Sequence, residues 1–369
     1  MYIAWKPNPD YRRLLKTLRR QGDPSYVPFW ELGPDPEFVS AILGEPALSV
    51  HFTESAPGVD RQMREEQLDQ NIRFWHHLGS DAIRVGPDGI GLRGMYLLDS
   101  EDMAAIQRDR RRWVDERVGI ITSWADFERY PWPHPGDADL YPLEYVAKHL
   151  PEGMAIVAGI GGILEPVMFL MGYETLSYAL YDQPDLVQAM FEKIKEIQLP
   201  ATRAMVQMDG VVGLWMTDDM GFKTAPLLSP EQLRRFVFPI QKEFAQLAHE
   251  RGMPFILHAC GNLEVVMEDL IEDVGIDAKH SFEDVIEPVE SFVARYGRRI
   301  AAMGGVDMQI LTWGSESQVR ARTRQILEAC APSGAYVLGS GNTLSNYLSV
   351  GNVLAMIDEG HRFDAESAS

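Results

Sequence analysis

The strongest constraint on the fold is a rhythm. Eight short apolar runs, most closed by glycine or a polar residue, alternate with longer amphipathic stretches. The runs are YVPFWELG (26–33), AIRVGPDG (82–89), MAIVAGIGG (154–162), GLWMTDDMG (213–221), PFILHACG (254–261), DAKHSFED (277–284), IAAMGGVD (300–307) and AYVLGSGN (335–342). The stretch 229–251 carries the clearest helix signals. Ser229 suits an N-cap, Pro230 a first turn and Gln232 a capping partner, ahead of apolar positions at Leu233, Phe236, Val237, Ile240, Phe244 and Leu247. Further helices are expected at about 184–207, at 263–273 behind Asn262, at 287–296 and at 316–329. Strand and helix alternating eight times predict an α/β protein, a single (β/α)8 TIM barrel.

Domain boundaries follow from where the rhythm starts, breaks and stops. Residues 1–25 form an N-terminal extension with a helix expected over 10–21, packed on the outside of the barrel or across one end. The barrel spans 26–362. An insertion of about residues 89–150 follows the second run, with strand-like segments in RRRWVDERVGI and prolines in YPWPHPGD that exclude regular structure. Residues 363–369 read as a frayed tail.

Composition narrows the partners. The 369 residues carry 34 Lys+Arg against 54 Asp+Glu, a net charge of −20 that disfavours nucleic acid and anionic membranes. No run has the span of a transmembrane helix and the N-terminus lacks a signal-peptide core, so the expected location is cytoplasmic. The two cysteines, Cys260 and Cys330, suit a reducing compartment rather than a disulfide framework.

In such a barrel, chemistry gathers where strands end. Glu31, Asp88, Asp218, Asp219, His258, Cys260, His280, Glu283, Asp307, Ser340 and Asn342 all stand at or just beyond run ends. His258 and Cys260 are two apart on a strand, so they share a face and offer an imidazole nitrogen and a thiolate to one metal ion, zinc being the expected one. Cys330 ends the helix before the last run, which places it at the opposite face. The third ligand is therefore sought among carboxylates, Glu283 and Asp219 ahead of Asp307, each of which is equally suited to capping a helix. Asp218 and Asp219 are adjacent, so only one need face a substrate. Trp30, Phe222, Trp215 and Phe282 are candidates to wall an apolar pocket, although core packing accounts for any one of them.

The segments TDDMGFKTAPLLSPEQLRRFVFPIQKEF, FILHACGNLEVVMEDLIEDVGIDAKHSFED, RIAAMGGVDMQILTWGS and YVLGSGNTLSNY resemble the uroporphyrinogen decarboxylase superfamily. The resemblance implies a (β/α)8 barrel and two chemistries. The decarboxylase branch implies an arginine-rich N-terminal loop, an aspartate matched by Asp88 and a Gly-His-Gly after the eighth strand. Here WELGPDPEF has no arginine, and Ser340 replaces the histidine. The methylcobamide:coenzyme M methyltransferase branch implies zinc on a His-x-Cys, matched by His258 and Cys260, plus a cysteine where Ser340 stands. This branch is the nearer one, and it implies a corrinoid as substrate or carried by a partner protein, with a homodimer as the expected assembly. The expected activity is methyl transfer, with His258, Cys260 and Glu283 holding metal and Asp88, Asp219 and Ser340 completing the catalytic set. Trp30, Glu31, Asp218, Phe222, His280, Asp307 and Asn342 are the expected substrate contacts. Decarboxylation of a carboxylate-bearing tetrapyrrole, and a barrel that binds such a ligand without turnover, remain as alternatives.

Overall fold

A computed structural model describes residues 3, 5–48, 60–95, 97–100, 111–115, 117 and 119–367. Among these, seven parallel strands form one sheet in the order β1 (Ala82–Val85), β4 (Ala155–Gly161), β5 (Val211–Thr217), β6 (Phe255–His258), β7 (Ala278–His280), β8 (Ala301–Met303) and β9 (Tyr336–Val337). Each neighbour follows the last in sequence across a helical crossover, the connection a barrel requires. β2 (Leu97–Ser100) and β3 (Arg111–Val114) make a separate antiparallel pair inside the expected insertion, and the helices Trp124–Arg129 and Tyr141–His149 follow them.

The first apolar run differs from expectation. It lies beside β9, with a parallel bridge from Phe29 to Leu338, the Trp30 N–H donating to the Leu338 carbonyl and the Leu338 N–H to that of Pro28. It is a bridge rather than a full strand. Pro28 and Pro34 bracket the segment, and neither has an N–H for a ladder.

Strand parity sorts the core into two sides. Ile83, Ile156, Leu214, Phe255, Leu257 and Ala302 pack in the cluster shared with the surrounding helices. Ala82, Val157, Trp215, Ile256, Ala278, Ala301 and Val337 form a second cluster with Trp30. These residues alternate along the strands, so the second cluster lines the concave interior. Four alanines there, counting Ala335, leave room for two indoles, which stack at 5.5 Å. Leu14 and Leu18, from the helix Tyr11–Leu18, join the interior cluster beside residues that begin the strands. The N-terminal helix thus lies across one end.

Most helices match their sequence signals. Ser229 accepts a hydrogen bond from the Gln232 N–H, and the helix that follows runs to His249 with a π turn at Leu233–Val237 just before Pro239, which has no N–H to donate. The segment after Asn262 is less regular than expected, a 3-10 turn at Glu264–Val266 and a π turn at Asp269–Val274. At the C-terminus the helix Val350–Ser367 continues through most of the expected tail. No helix among the described residues is long and apolar enough to cross a membrane.

Candidate metal centre

Thr217, His258 and His280 occupy one row of the sheet, paired in register across β5, β6 and β7. They share interior parity with Trp215, Ile256 and Ala278. Two residues beyond the row, Asp219 and Cys260 keep that parity and come together, the Cys260 N–H donating to Asp219 Oδ1 at 2.7 Å. His258 Nε2 lies 3.3 Å from Asp219 Oδ1 and 3.6 Å from Cys260 Sγ. One donor atom from each of Asp219, His258 and Cys260 falls within 4.8 Å of the others.

The ring of His258 is held from behind. Its Nδ1 meets Nδ1 of the fully buried His280 at 2.7 Å, so one of those two nitrogens carries the proton and the other accepts it. Burial, with the neighbouring His258 adding to it, pushes the His280 pKa well below its ordinary value, which keeps that ring neutral. Trp215 stacks under the His258 imidazole and meets that of His280 at a tilt of 55°. Nε2 of His258 is left aimed at Asp219 and Cys260.

Cys260 is ringed by polar groups. Asn342 Nδ2 donates to its sulfur at 3.3 Å, and the Ser281 hydroxyl lies 3.6 Å away. Burial pushes the thiol pKa up and the Asp219 charge adds to this, while Ser281 opposes it. Burial also pushes Asp219 up, but the hydrogen bond and charge of His258 and the Cys260 N–H outweigh that and bring it down to about 2.

The donor set fits zinc. In a tetrahedral site with bonds of about 2.0–2.3 Å, neighbouring ligand atoms stand roughly 3.3–3.6 Å apart, which is how His258 Nε2 stands to Asp219 and to Cys260, and the three donors lie within 4.8 Å of one another. In a four-coordinate site, three side chains of mixed N, S and O character would leave one position for a substrate.

The structure redistributes the other expected residues. Asp219, not Glu283, completes the convergent group, because the register of β5 against β6 carries Asp219 to Cys260 while Glu283 enters the turn after β7. Ser340 is fully buried, its N–H and hydroxyl donating to Glu31 at 2.7 and 2.6 Å, so neither residue faces a ligand. Burial pushes Glu31 up to about 8 against those two bonds. Asp218 has helix-facing parity. It accepts the N–H groups of Leu164 and Glu165 and the amide of Gln241, and burial raises it to about 6. Asp307 caps the helix Met308–Trp313 and also accepts the Asp284 N–H. Asp88 forms a buried two-bond ion pair with Arg64, 3.0 Å at each contact. Trp30 is interior core, and Phe222 is half exposed with its ring edge against Tyr173. Asn342 and His280 do reach the centre, by way of Cys260 and His258.

Sequence reasoning missed Arg64, Arg84, Lys279 and Ser281. Arg84 has interior parity, donates to Thr217 Oγ1 at 3.1 Å and lines a cavity of about 320 Å³ between the ends of β1, β4 and β5. Its signal was a cation in the middle of an apolar run. The same signal marks Lys279.

The uroporphyrinogen decarboxylase (URO-D) family model matches residues 119–363, well over half of the chain. The chain belongs to the uroporphyrinogen decarboxylase family. A uroporphyrinogen decarboxylase of Thioalkalivibrio sulfidiphilus is 26% identical over 365 residues, 96% of this chain and 90% of that protein. One of Anaeromyxobacter dehalogenans is 26% identical over 196 residues, about half of each chain at 52%. Among solved structures, a methyltransferase from Methanosarcina mazei superposes with a TM-score of 0.65 at 19% identity, covering 95% of this chain and 98% of that one. A putative vitamin-B12-independent methionine synthase from Listeria monocytogenes gives 0.50 at 12% identity, covering 92% and 98%. Both structural likenesses concern the fold. They agree with the curled parallel sheet of this family member.

Proposed function

We propose that this family member is a methyltransferase that holds zinc on Asp219, His258 and Cys260 and passes a methyl group from a methylated corrinoid to a nucleophilic acceptor. The observation that carries this reading is the convergence of one N, one S and one O donor at the ends of adjacent strands. Zinc there would supply a soft Lewis acid able to keep an acceptor thiol in its nucleophilic thiolate form at neutral pH. The chain supplies the orientation. His280 fixes which nitrogen of His258 faces the centre, Asn342 and Ser281 hold the Cys260 sulfur, and the Cys260 N–H holds the Asp219 carboxylate. The stacked indoles of Trp30 and Trp215 close the interior beneath.

Metal analysis of protein purified under reducing, zinc-replete conditions tests the centre. The wild type should hold about one equivalent, and Cys260→Ser and Asp219→Ala should each lose most of it. A metal-free wild type would sink the metal centre, and failure to demethylate methylcobalamin with any thiol acceptor would sink the activity.

Decarboxylation is the second reading, favoured by the names of both sequence relatives. Two observations weigh against it. WELGPDPEF offers no arginine for a polycarboxylate, and the Asp88 carboxylate is already paired with Arg64. Conversion of uroporphyrinogen by the pure protein decides for it; binding and release of the tetrapyrrole unchanged would point to a barrel without turnover.

A further inference from the structure

Lys279 has the wrong parity for the interior. Its neighbours in the sheet on that side are Leu257 and Ala302, both in the apolar core against the helices. The lysine is nonetheless only 6% exposed. Its ammonium donates to the Ser281 carbonyl and lies 4.3 Å from the Phe282 ring centre and 5.9 Å from that of Phe292. No carboxylate stands within 4.0 Å of it among the described residues. A buried cation without a contacting anion is costly, and burial here lowers its pKa to about 8.

The lysine lines a cavity of about 470 Å³ bounded by the loops after β6 and β7 and by the helix Val289–Tyr296. Arg295 lines it too, but its charge is committed to Glu264 and Glu287. Glu283 is different. Its carboxylate makes no ion pair or hydrogen bond with the described residues, while its backbone carbonyl accepts the Ile286 and Glu287 N–H groups. Lys279 and Glu283 therefore present opposite charges to one space without contacting each other. Leu263, Met267, Phe282 and Ile286 supply an apolar wall.

We propose that this second cavity binds a free amino acid with an apolar side chain, its carboxylate against Lys279, its ammonium against Glu283 and its hydrocarbon on the apolar wall. A zwitterion satisfies both charges at once, whereas a simple anion would leave Glu283 facing it and a simple amine would leave Lys279 facing it. The inference is independent of methyl transfer and of zinc.

Calorimetric titration of the full-length protein with L-leucine tests it, with 4-methylpentanoate and 3-methylbutylamine as analogues that each lack one charge. Leucine should bind saturably at one site. Each analogue should bind at least about tenfold more weakly. Lys279→Met and Glu283→Gln should each weaken leucine binding about tenfold while circular dichroism stays at the wild-type spectrum. Should Lys279→Met fail to fold, Glu283→Gln decides alone. The proposal is overturned by a wild type that shows no saturable leucine binding up to about 10 mM. It is equally overturned by an analogue that binds as well as leucine, or by folded variants that keep wild-type affinity.

Discussion

Glu31 is buried with no Lys or Arg within 4.0 Å among the described residues, and Ser340 gives it two hydrogen bonds that a neutral acid can accept and return. Its pKa is raised from the ordinary 4.5 to about 8. The folded protein therefore holds a proton that the unfolded chain releases across that interval, and the stability it contributes is full below the ordinary value and lost as pH rises toward 8. Glu31→Gln, which mimics the neutral acid, should flatten the decline of melting temperature between about pH 5 and 8 and make the variant the more stable protein at the alkaline end. Arg64 and Asp88 form a buried ion pair that is costly to break. Arg64→Met should destabilise by roughly 3–5 kcal/mol in denaturant titrations, and adding Asp88→Asn should recover most of the loss. At this scale the sequence was legible where parity was. His258 with Cys260 follows from a spacing of two on a strand. The choice between Asp218 and Asp219 needed the register of β5 against β6, a long-range quantity that no local spacing encodes. Glu283 was favoured for standing at a strand end, but the turn after β7 carries it away from the interior.

Capping is shared between elements that are far apart in sequence. The helix Leu164–Met171 has no capping side chain of its own, and Asp218, from the end of β5, accepts its first N–H groups. Gly162 makes this contact accessible, since a Cβ there would stand 2.3 Å from Asp218 Oδ1 and 2.5 Å from the Thr217 carbonyl. Gly162→Ala should therefore cost about 1–3 kcal/mol, read as a lower denaturant midpoint at unchanged slope. Helices that carry their own signals, such as the one begun by Ser229 and Pro230, were legible from sequence. The first apolar run was harder to place, because alternation and hydrophobicity mark burial while the bracketing prolines limit the pairing to isolated bridges, Phe29 with Leu338 and Pro34 with Leu344. The π turn at Leu233–Val237 was invisible for a similar reason, as it depends on where the missing N–H of Pro239 falls in a packed helix.

The whole molecule is organised around an interior that the N-terminal helix closes. Leu14 and Leu18 are fully buried against the first residues of the strands. Leu14→Ala should cost about 2–5 kcal/mol by chemical denaturation, and removing residues 1–20 should abolish the single cooperative thermal transition. The α/β class and the parallel order of the strands were legible from the rhythm of runs. That the helix Tyr11–Leu18 closes one end of the curled sheet rather than packing on its outside was not, since an amphipathic helix records that it has a buried face but not what it is buried against. Trp30 and Glu31 reach Leu338 and Ser340 across more than three hundred residues of chain. During synthesis, a ribosome must release almost the entire polypeptide before this seam can form. Until then the indoles and small interior side chains of the earlier strands are exposed to water and to other nascent chains, so chaperone demand should peak late in translation and fall when the last strand emerges.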